Sequence, residues 1–169
     1  MTFQVGEKVV YPNHGVGTVE NISSRSFGTQ QERFYLLRLA SSSMTVMVPF
    51  SHVTDLGLRK VTKCSEISRV LSYLAAGQPR CAQDWKDRFK ENSDRMKGGS
   101  LLEIAEVFKA LVAIQMTKPL SFREKKMLER ARSMIILETS VAKSVSEPEA
   151  IQLITKALAK SGLPMPAAL

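Results

Sequence analysis

The residue types that most often perform catalysis are scarce in this chain. Its only histidines are His14 and His52, and its only cysteines are Cys64 and Cys81. None of the four has neighbours at the spacing of a catalytic triad or a zinc site. A glycine-rich loop of the kind that cradles nucleotide phosphates is also missing from the sequence. We therefore predict no enzymatic activity, no metal, no cofactor and no small-molecule substrate.

Recognition chemistry is concentrated around the single tryptophan. Trp85 is followed by Lys86, Arg88 and Lys90, so a flat indole stands beside three cations. Cations meet phosphates and aromatic rings pack against bases or sugars, which is the chemistry of nucleic-acid binding. The same residues also suit a helix that buries its tryptophan and turns its charges to solvent. The local sequence leaves both interpretations open.

A second basic segment follows a serine that can cap a helix, Ser121. The segment contains Arg123, Lys125, Lys126, Arg130 and Arg132. A helix N-terminus attracts anions, and cations in the first turn oppose the helix dipole. The two lysines are therefore better explained if an anion such as phosphate binds there. Surface lysines scattered for solubility are the alternative.

The net charge of +8 is unevenly distributed. Up to Gly57 four cations balance four anions, and the whole excess follows that residue. Such asymmetry favours two units with different partners. We expect the basic part to bind a polyanion and the neutral part to bind a protein.

Hydrophobic periodicity divides the chain at the same place. Residues 1–60 show short alternating strands separated by turn residues, which predicts a small antiparallel barrel. Residues 61–169 switch to a helical period, with capping boxes beginning at Ser100, Ser121 and Ser146. The predicted fold is therefore α+β, with a β domain followed by an all-α bundle. Apolar runs fall short of a membrane span and the start lacks a signal-peptide pattern, so we expect a cytoplasmic protein with reduced cysteines. We also expect a monomer.

Several segments resemble one family of bacterial transcription regulators. Residues 5–17, which read VGEKVVYPNHGVG, are similar to the opening signature of the CarD/CdnL family. The same module begins the RNA-polymerase-interacting domain of transcription-repair coupling factors. The similarity continues through 44–49, 53–59, 85–90 and 120–132, and so spans nearly the whole chain.

The resemblance implies a Tudor-like β barrel that docks on the β subunit of RNA polymerase. It also implies a helical domain that reaches promoter DNA at the upstream edge of the bubble, where a tryptophan wedges into the minor groove. Trp85 matches that tryptophan. The cations implied to lie along the DNA backbone are Lys86, Arg88, Lys90, Lys125, Lys126, Arg130 and Arg132. Such a protein stabilises the open complex, often at ribosomal RNA promoters, without reading a sequence, and works beside RNA polymerase on the nucleoid.

The polymerase-facing surface matches the family less completely. Arg25 and Phe27 lie at positions that contact the polymerase in the family. Position 47 is commonly arginine there, but this chain has Met47. We still expect docking, because an exposed strand can add to a partner's sheet through backbone hydrogen bonds.

Three alternatives remain open from the sequence. A free-standing architectural DNA-binding protein would need no polymerase contact, although the neutral β half argues against it. An RNA-binding or translation-associated module would use its small barrel for RNA. An enzyme would require a deep pocket lined by His14, His52 or Cys64.

Overall fold

The computed structural model describes residues 2–12, 14–40, 42–78, 85–98 and 100–167, with Trp85 and Gly98 described by their backbone alone. The chain has an α+β architecture and separates into two compact units, residues 1–61 and 62–169. We call them the sheet unit and the helical unit. None of the helices in these ranges combines the length and the apolar character that crossing a membrane requires.

The sheet unit contains five antiparallel strands. They are β1 (Lys8–Tyr11), β2 (Gly15–Phe27), β3 (Gln30–Leu39), β4 (Thr45–Pro49) and β5 (Arg59–Lys60). Their order across the sheet is β4-β3-β2-β1-β5. The predicted barrel is therefore wrong in one respect, because β4 and β5 are the two edges and the sheet does not close. Two features limit closure: β5 pairs through only two residues, and β4 ends at Pro49, which has no N–H to donate.

Side chains alternate between the two faces of the sheet, and those on one face form the core of the sheet unit. Its buried side chains are Phe3, Val9, Val19, Tyr35, Leu37, Val48, Val53 and Leu58. The buried Tyr35 hydroxyl accepts a hydrogen bond from the Phe3 amide at 3.0 Å, so the one polar atom of this ring is satisfied. Near the edge, Glu7 accepts a hydrogen bond from the Gln4 amide at 2.9 Å. That bond, helped by Lys60, holds the pKa of the Glu7 carboxyl below its usual range.

The β2–β3 hairpin is longer than the sequence pattern indicated. In the sequence, apolar alternation stops at Ile22 and resumes at Phe34, whereas pairing continues to Phe27 opposite Gln30. Polar residues fill this extension, so apolar alternation could not reveal it. Gly28 has φ of +63° in the two-residue loop, a backbone conformation that favours glycine.

The sheet unit also contains a short 3-10 turn (Phe50–His52) and helix α1 (Val53–Leu56), which lie between β4 and β5 in the chain. The helical unit contains α2 (Cys64–Ala76), α3 (Trp85–Gly98), α4 (Leu101–Gln115), α5 (Phe122–Lys143) and α6 (Glu147–Lys160). All three predicted serine caps are confirmed, since Ser100, Ser121 and Ser146 each accept a hydrogen bond from the backbone N–H three residues later. The reciprocal glutamate bond completes a capping box at Ser146.

Helix α4 is central to the helical unit and packs against α2, α3 and α5. Its buried positions include Lys109, which is 2% exposed. The Lys109 ammonium donates to the carbonyls of Tyr73 and Gly77 at 2.9 and 2.5 Å and to the Ser161 hydroxyl at 2.9 Å. A buried cation thus satisfies the carbonyl end of α2. Burial lowers the pKa of this ammonium.

Candidate nucleic-acid interface

A buried ion pair joins the two helices that carry the predicted DNA-binding residues. Arg88 on α3 donates from Nε to Glu124 Oε2 at 2.9 Å and from Nη2 to Glu124 Oε1 at 3.0 Å. Arg88 is 5% exposed and Glu124 is 4% exposed. Two parallel charge-assisted bonds fix distance and orientation together. The start of α5 is therefore held against α3.

The DNA contact predicted for Arg88 stays a prediction, and this geometry argues against it. Its guanidinium is buried and bound by a carboxylate, so in this arrangement it does not face a ligand. Glu124 departs from its expected role as well, because the sequence suggested the second half of a capping box. Its carboxylate binds Arg88 and lies 3.4 Å from the Ser121 hydroxyl. The Arg88–Glu124 pair therefore fixes how α3 and α5 pack, without itself being exposed to a ligand.

Exposed cations lie on the same two helices as this pair. They are Lys86 and Lys90 on α3 and Lys125, Lys126 and Arg130 on α5. Because the packing of α3 and α5 is fixed, their exposed cations hold set positions on the protein, and such cations attract a polyanion backbone. We call these five residues the basic face.

Arg132 is partly buried. Its Nε donates to the Pro166 carbonyl at 3.0 Å, which brings the segment after α6 alongside α5. A cavity of about 270 Å³ lies beside this contact and is lined by residues that include Lys125, Arg132 and Pro166. The predicted DNA contact of Arg132 therefore competes with a bond inside the helical unit.

Trp85 is the first residue of α3. Its side chain lies outside the described part of the structure, as do residues 79–84 before it, so the predicted wedge stays a prediction. By position along α3, Trp85 is one turn before Phe89 and three residues before Arg88.

Sequence reasoning missed two ring contacts beside the basic face. The Arg123 guanidinium carbon lies 5.7 Å from the centre of the Phe89 ring, and Lys126 Nζ lies 4.6 Å from the centre of the Phe122 ring. Phe122 itself is 71% exposed. The available signal was an aromatic residue directly after a helix cap and directly before Arg123, a position where burial is not expected.

The candidate polymerase contacts lie in the sheet unit. Strand register places Arg25 opposite Glu32, Phe27 opposite Gln30 and Met47 opposite Leu36. Since side chains alternate along each strand, Arg25, Phe27 and Met47 lie on one face of the sheet, opposite the core. Phe27 is 61% exposed and Met47 is 36% exposed. We call these three residues the outer face.

Strand β4, which carries Met47, pairs within the described sheet only with β3. Its second side is therefore a backbone edge that can accept another strand. Of the residues first considered for catalysis, His14, His52 and Cys64 are exposed, and Cys81 lies outside the described residues. His14 makes an edge contact with the Tyr11 ring at 4.8 Å.

Comparison with known proteins identifies both units. Residues 3–62 match the family model described as the CarD-like/TRCF RID domain, and residues 69–155 match the CarD C-terminal domain. A Bacillus subtilis (strain 168) protein named "Putative transcription factor YdeB" is 35% identical over 147 residues, covering 87% of this chain and 96% of that protein. A solved structure titled "CdnLNt from Myxoccoccus xanthus" is 38% identical, covers 36% of this chain and 86% of that one, and has a TM-score of 0.31.

These two domains in this order define a class of transcription factor that interacts with RNA polymerase. The chain belongs to the CarD family.

Proposed function

We propose that this protein binds the RNA polymerase β subunit through a Tudor-like sheet unit and stabilises the promoter open complex through its helical unit. The helical unit contacts the minor groove at the upstream edge of the bubble without reading base sequence. The protein acts as a monomer in the cytoplasm, together with RNA polymerase on the nucleoid, and ribosomal RNA promoters are among its targets.

The basic face is the observation that carries this proposal. Its five cations are exposed on two helices that Arg88 and Glu124 hold together. Neutralising phosphates releases counterions from DNA, and this contribution does not depend on base sequence. A surface of this kind favours binding along a backbone over reading of base edges, since base readout requires side chains matched to particular bases.

The basic face alone cannot favour the open complex. A ligand shifts an equilibrium only by the difference between its affinities for the two states, and duplex phosphates are present in both. Trp85 supplies the difference, because a minor groove distorted at the bubble edge accepts an indole that intact duplex resists. Aromatic contacts of this type are worth about 1–3 kcal/mol, or roughly five- to 150-fold in population.

The outer face supports polymerase docking. It combines the exposed apolar side chains of Phe27 and Met47 with the cation of Arg25, beside the unpaired edge of β4. A free-standing DNA-binding protein gains nothing from a neutral unit with exposed apolar residues. Docking on the polymerase also raises the local concentration of the helical unit, so weak DNA binding is sufficient.

The lifetime of promoter open complexes, challenged with a competitor, tests the proposal. The full chain should lengthen this lifetime, and Phe27→Ser should lose binding to the isolated β subunit and require a higher concentration for the same effect. Thr29→Ser, in the adjacent exposed hairpin loop, is the matched control. Lifetimes that do not change with saturating protein would refute the proposal, and full activity of Phe27→Ser without β-subunit binding would favour the architectural alternative.

A further inference from the structure

Phe122 is the most exposed large apolar side chain among the residues described, at 71%. It occupies the first position of α5, directly after the cap Ser121. Single exposed apolar residues are common on protein surfaces. The informative feature of Phe122 is what surrounds it, since its sequence neighbours Ser121 and Arg123 are also exposed.

Two aromatic rings near the start of α5 each have a cation close by. Lys126, one turn after Phe122, lies with Nζ 4.6 Å from the centre of the Phe122 ring. Arg123, on the same turn, approaches the half-buried Phe89 ring on α3, with its guanidinium carbon 5.7 Å from the ring centre. One ring–cation pair therefore lies within α5, and the other joins α5 to α3, the two helices that Arg88 and Glu124 also connect.

We propose that Phe122 stacks on an unpaired base of the melted promoter strand while Arg123 and Lys126 neutralise the flanking phosphates. This inference deepens the proposed function and rests on it. Nucleic-acid proteins that hold single strands combine a cationic track with aromatic side chains, since every base offers a π-face. Phe122 and its two neighbouring cations supply both components within two turns of one helix.

Two arguments identify the ligand of Phe122 as an unpaired DNA base: the charge around the ring, and whether a base is already stacked. A protein partner for an apolar side chain usually offers an apolar patch, whereas exposed cations adjoin Phe122 and favour an anionic ligand. In intact duplex each base is already stacked on its neighbours, so an exposed ring gains little there. An unpaired base has a free face, and the ring therefore distinguishes melted DNA from duplex whereas the cations do not.

Binding of the full chain to two DNAs of equal length tests the inference. One is fully paired and the other is a fork with unpaired arms, and anisotropy at low salt keeps both affinities measurable. We expect Phe122→Ala to weaken fork binding by at least about five-fold, the loss of one base stack, and duplex binding by less than about two-fold. Phe122→Trp should retain the contribution of position 122 to the fork preference, and Phe122→Leu should lose that contribution, because leucine has no π-face.

Met116→Ala is the matched control, since Met116 is an apolar side chain exposed to 58% elsewhere in the helical unit. Each Phe122 variant is also measured with Trp85→Ala, so that a fork preference due to the indole is separated from one due to Phe122. Because Phe122 is exposed, its variants should melt at the wild-type temperature.

The single native tryptophan permits a direct readout. The double variant Trp85→Phe, Phe122→Trp carries its only indole at position 122. Binding of the fork should quench the fluorescence of this indole and protect it from a soluble quencher. Binding of the duplex should have neither effect.

Each outcome bears on a different claim. A fork preference in Phe122→Ala or Phe122→Leu equal to that of the otherwise identical chain with Phe122 overturns stacking at Phe122 and leaves the proposed function standing. Loss of β-subunit binding in Phe122→Ala with the fork preference intact overturns it in favour of a protein contact. A wild-type chain that binds neither DNA overturns this inference together with the DNA-binding part of the proposed function.

Discussion

The two units use charge in opposite ways. All six buried polar or charged residues of the described chain lie in the helical unit: Arg88, Asn92, Lys109, Glu124, Glu138 and Thr139. In the sheet unit the core is apolar and the ion pairs are at the surface, as between Arg38 and Glu20 at 2.7 Å. The sheet unit offers a backbone edge and apolar side chains, whereas the helical unit offers cations.

The difference shows how a basic surface can have a defined shape. Like charges repel, so a cluster of cations does not hold its helices together. Buried charges in the helical unit do so instead: Arg88 binds Glu124 across α3 and α5, Lys109 binds the end of α2, and Glu138 accepts two bonds from Thr62. Burying such groups is costly unless they are paired, so their pairing restricts the unit to one arrangement.

Breaking the Arg88–Glu124 pair should have the largest effect. Arg88→Met leaves the Glu124 carboxylate buried without its partner, and we expect the free energy of unfolding to fall by about 3–5 kcal/mol. Urea denaturation of the full chain measures this loss. Arg33→Met, at an exposed position of the sheet unit, is the control and should change stability by less than about 0.5 kcal/mol.

The double variant Arg88→Met, Glu124→Met sharpens the same point. It removes both charges, so we expect it to recover most of the lost stability. If Arg88→Met alone is as stable as the wild type, the pair does not hold the two helices together.

Removing the Lys109 ammonium should have the next largest effect. Lys109→Met leaves the carbonyls at the end of α2 without their donor, and we expect a loss of about 2 kcal/mol near neutral pH. Ser161→Ala removes the hydroxyl that accepts from Lys109 and has the carbonyls of Leu74 and Ala75 within hydrogen-bond distance, so it should act in the same direction. Thermal denaturation of both variants checks this. Wild-type stability in Lys109→Met would contradict the role assigned to this buried cation.

The stability of the wild type should also depend on pH through Lys109. Its folded pKa is lowered by burial, so the unfolded chain binds more protons between that value and the unfolded pKa of about 10.4. The free energy of unfolding of the wild type therefore rises with pH in this window. That of Lys109→Met should not, because the variant has no ammonium at this position. The advantage of the wild type should widen from neutral to alkaline pH; a constant difference would show that burial does not lower this pKa.

Removing single cations of the basic face should have an intermediate effect, seen in the salt dependence of DNA binding. Lys90→Gln and Lys125→Gln each remove one cation of the basic face, so each should reduce the slope of log affinity for DNA against log salt by up to about 0.9. Arg33→Gln removes an exposed cation of the sheet unit and should leave the slope unchanged. A titration of DNA binding at several salt concentrations decides this, and equal slopes for all three variants would remove the distinction between the units.

The smallest effect concerns the outer face. Met47→Arg introduces the cation that the family resemblance predicts at this position, and an exposed ion pair adds only about 0.2–1 kcal/mol. We expect up to about five-fold tighter binding to the polymerase β subunit, with no change in DNA affinity, by titration of each partner. Met44→Arg, at another exposed methionine just before β4, is the control. Weaker binding of Met47→Arg would indicate that the partner surface is apolar at this point.

Local features were predictable from the sequence. The caps at Ser100, Ser121 and Ser146 were correct because a cap depends on residues within one turn. The antiparallel sheet followed from strand alternation, whereas barrel closure did not, because closure depends on how long the edge strands β4 and β5 are.

Features that depend on tertiary packing were not predictable. Arg88 and Glu124 are 36 residues apart, and residue composition alone cannot show that an arginine between two lysines is buried. Lys109 was partly visible, since it stands inside the apolar run of α4, and a lysine in such a run indicates a buried cation with specific acceptors.

The division of roles between polymerase docking by the sheet unit and DNA contact by the helical unit is tested most directly by Trp85→Ala. Open-complex lifetime should be measured at concentrations that saturate the polymerase with wild-type or variant protein. We predict that Trp85→Ala binds the polymerase normally and loses most of the lengthening of the lifetime. A wild-type lifetime with the variant fully bound would contradict the account.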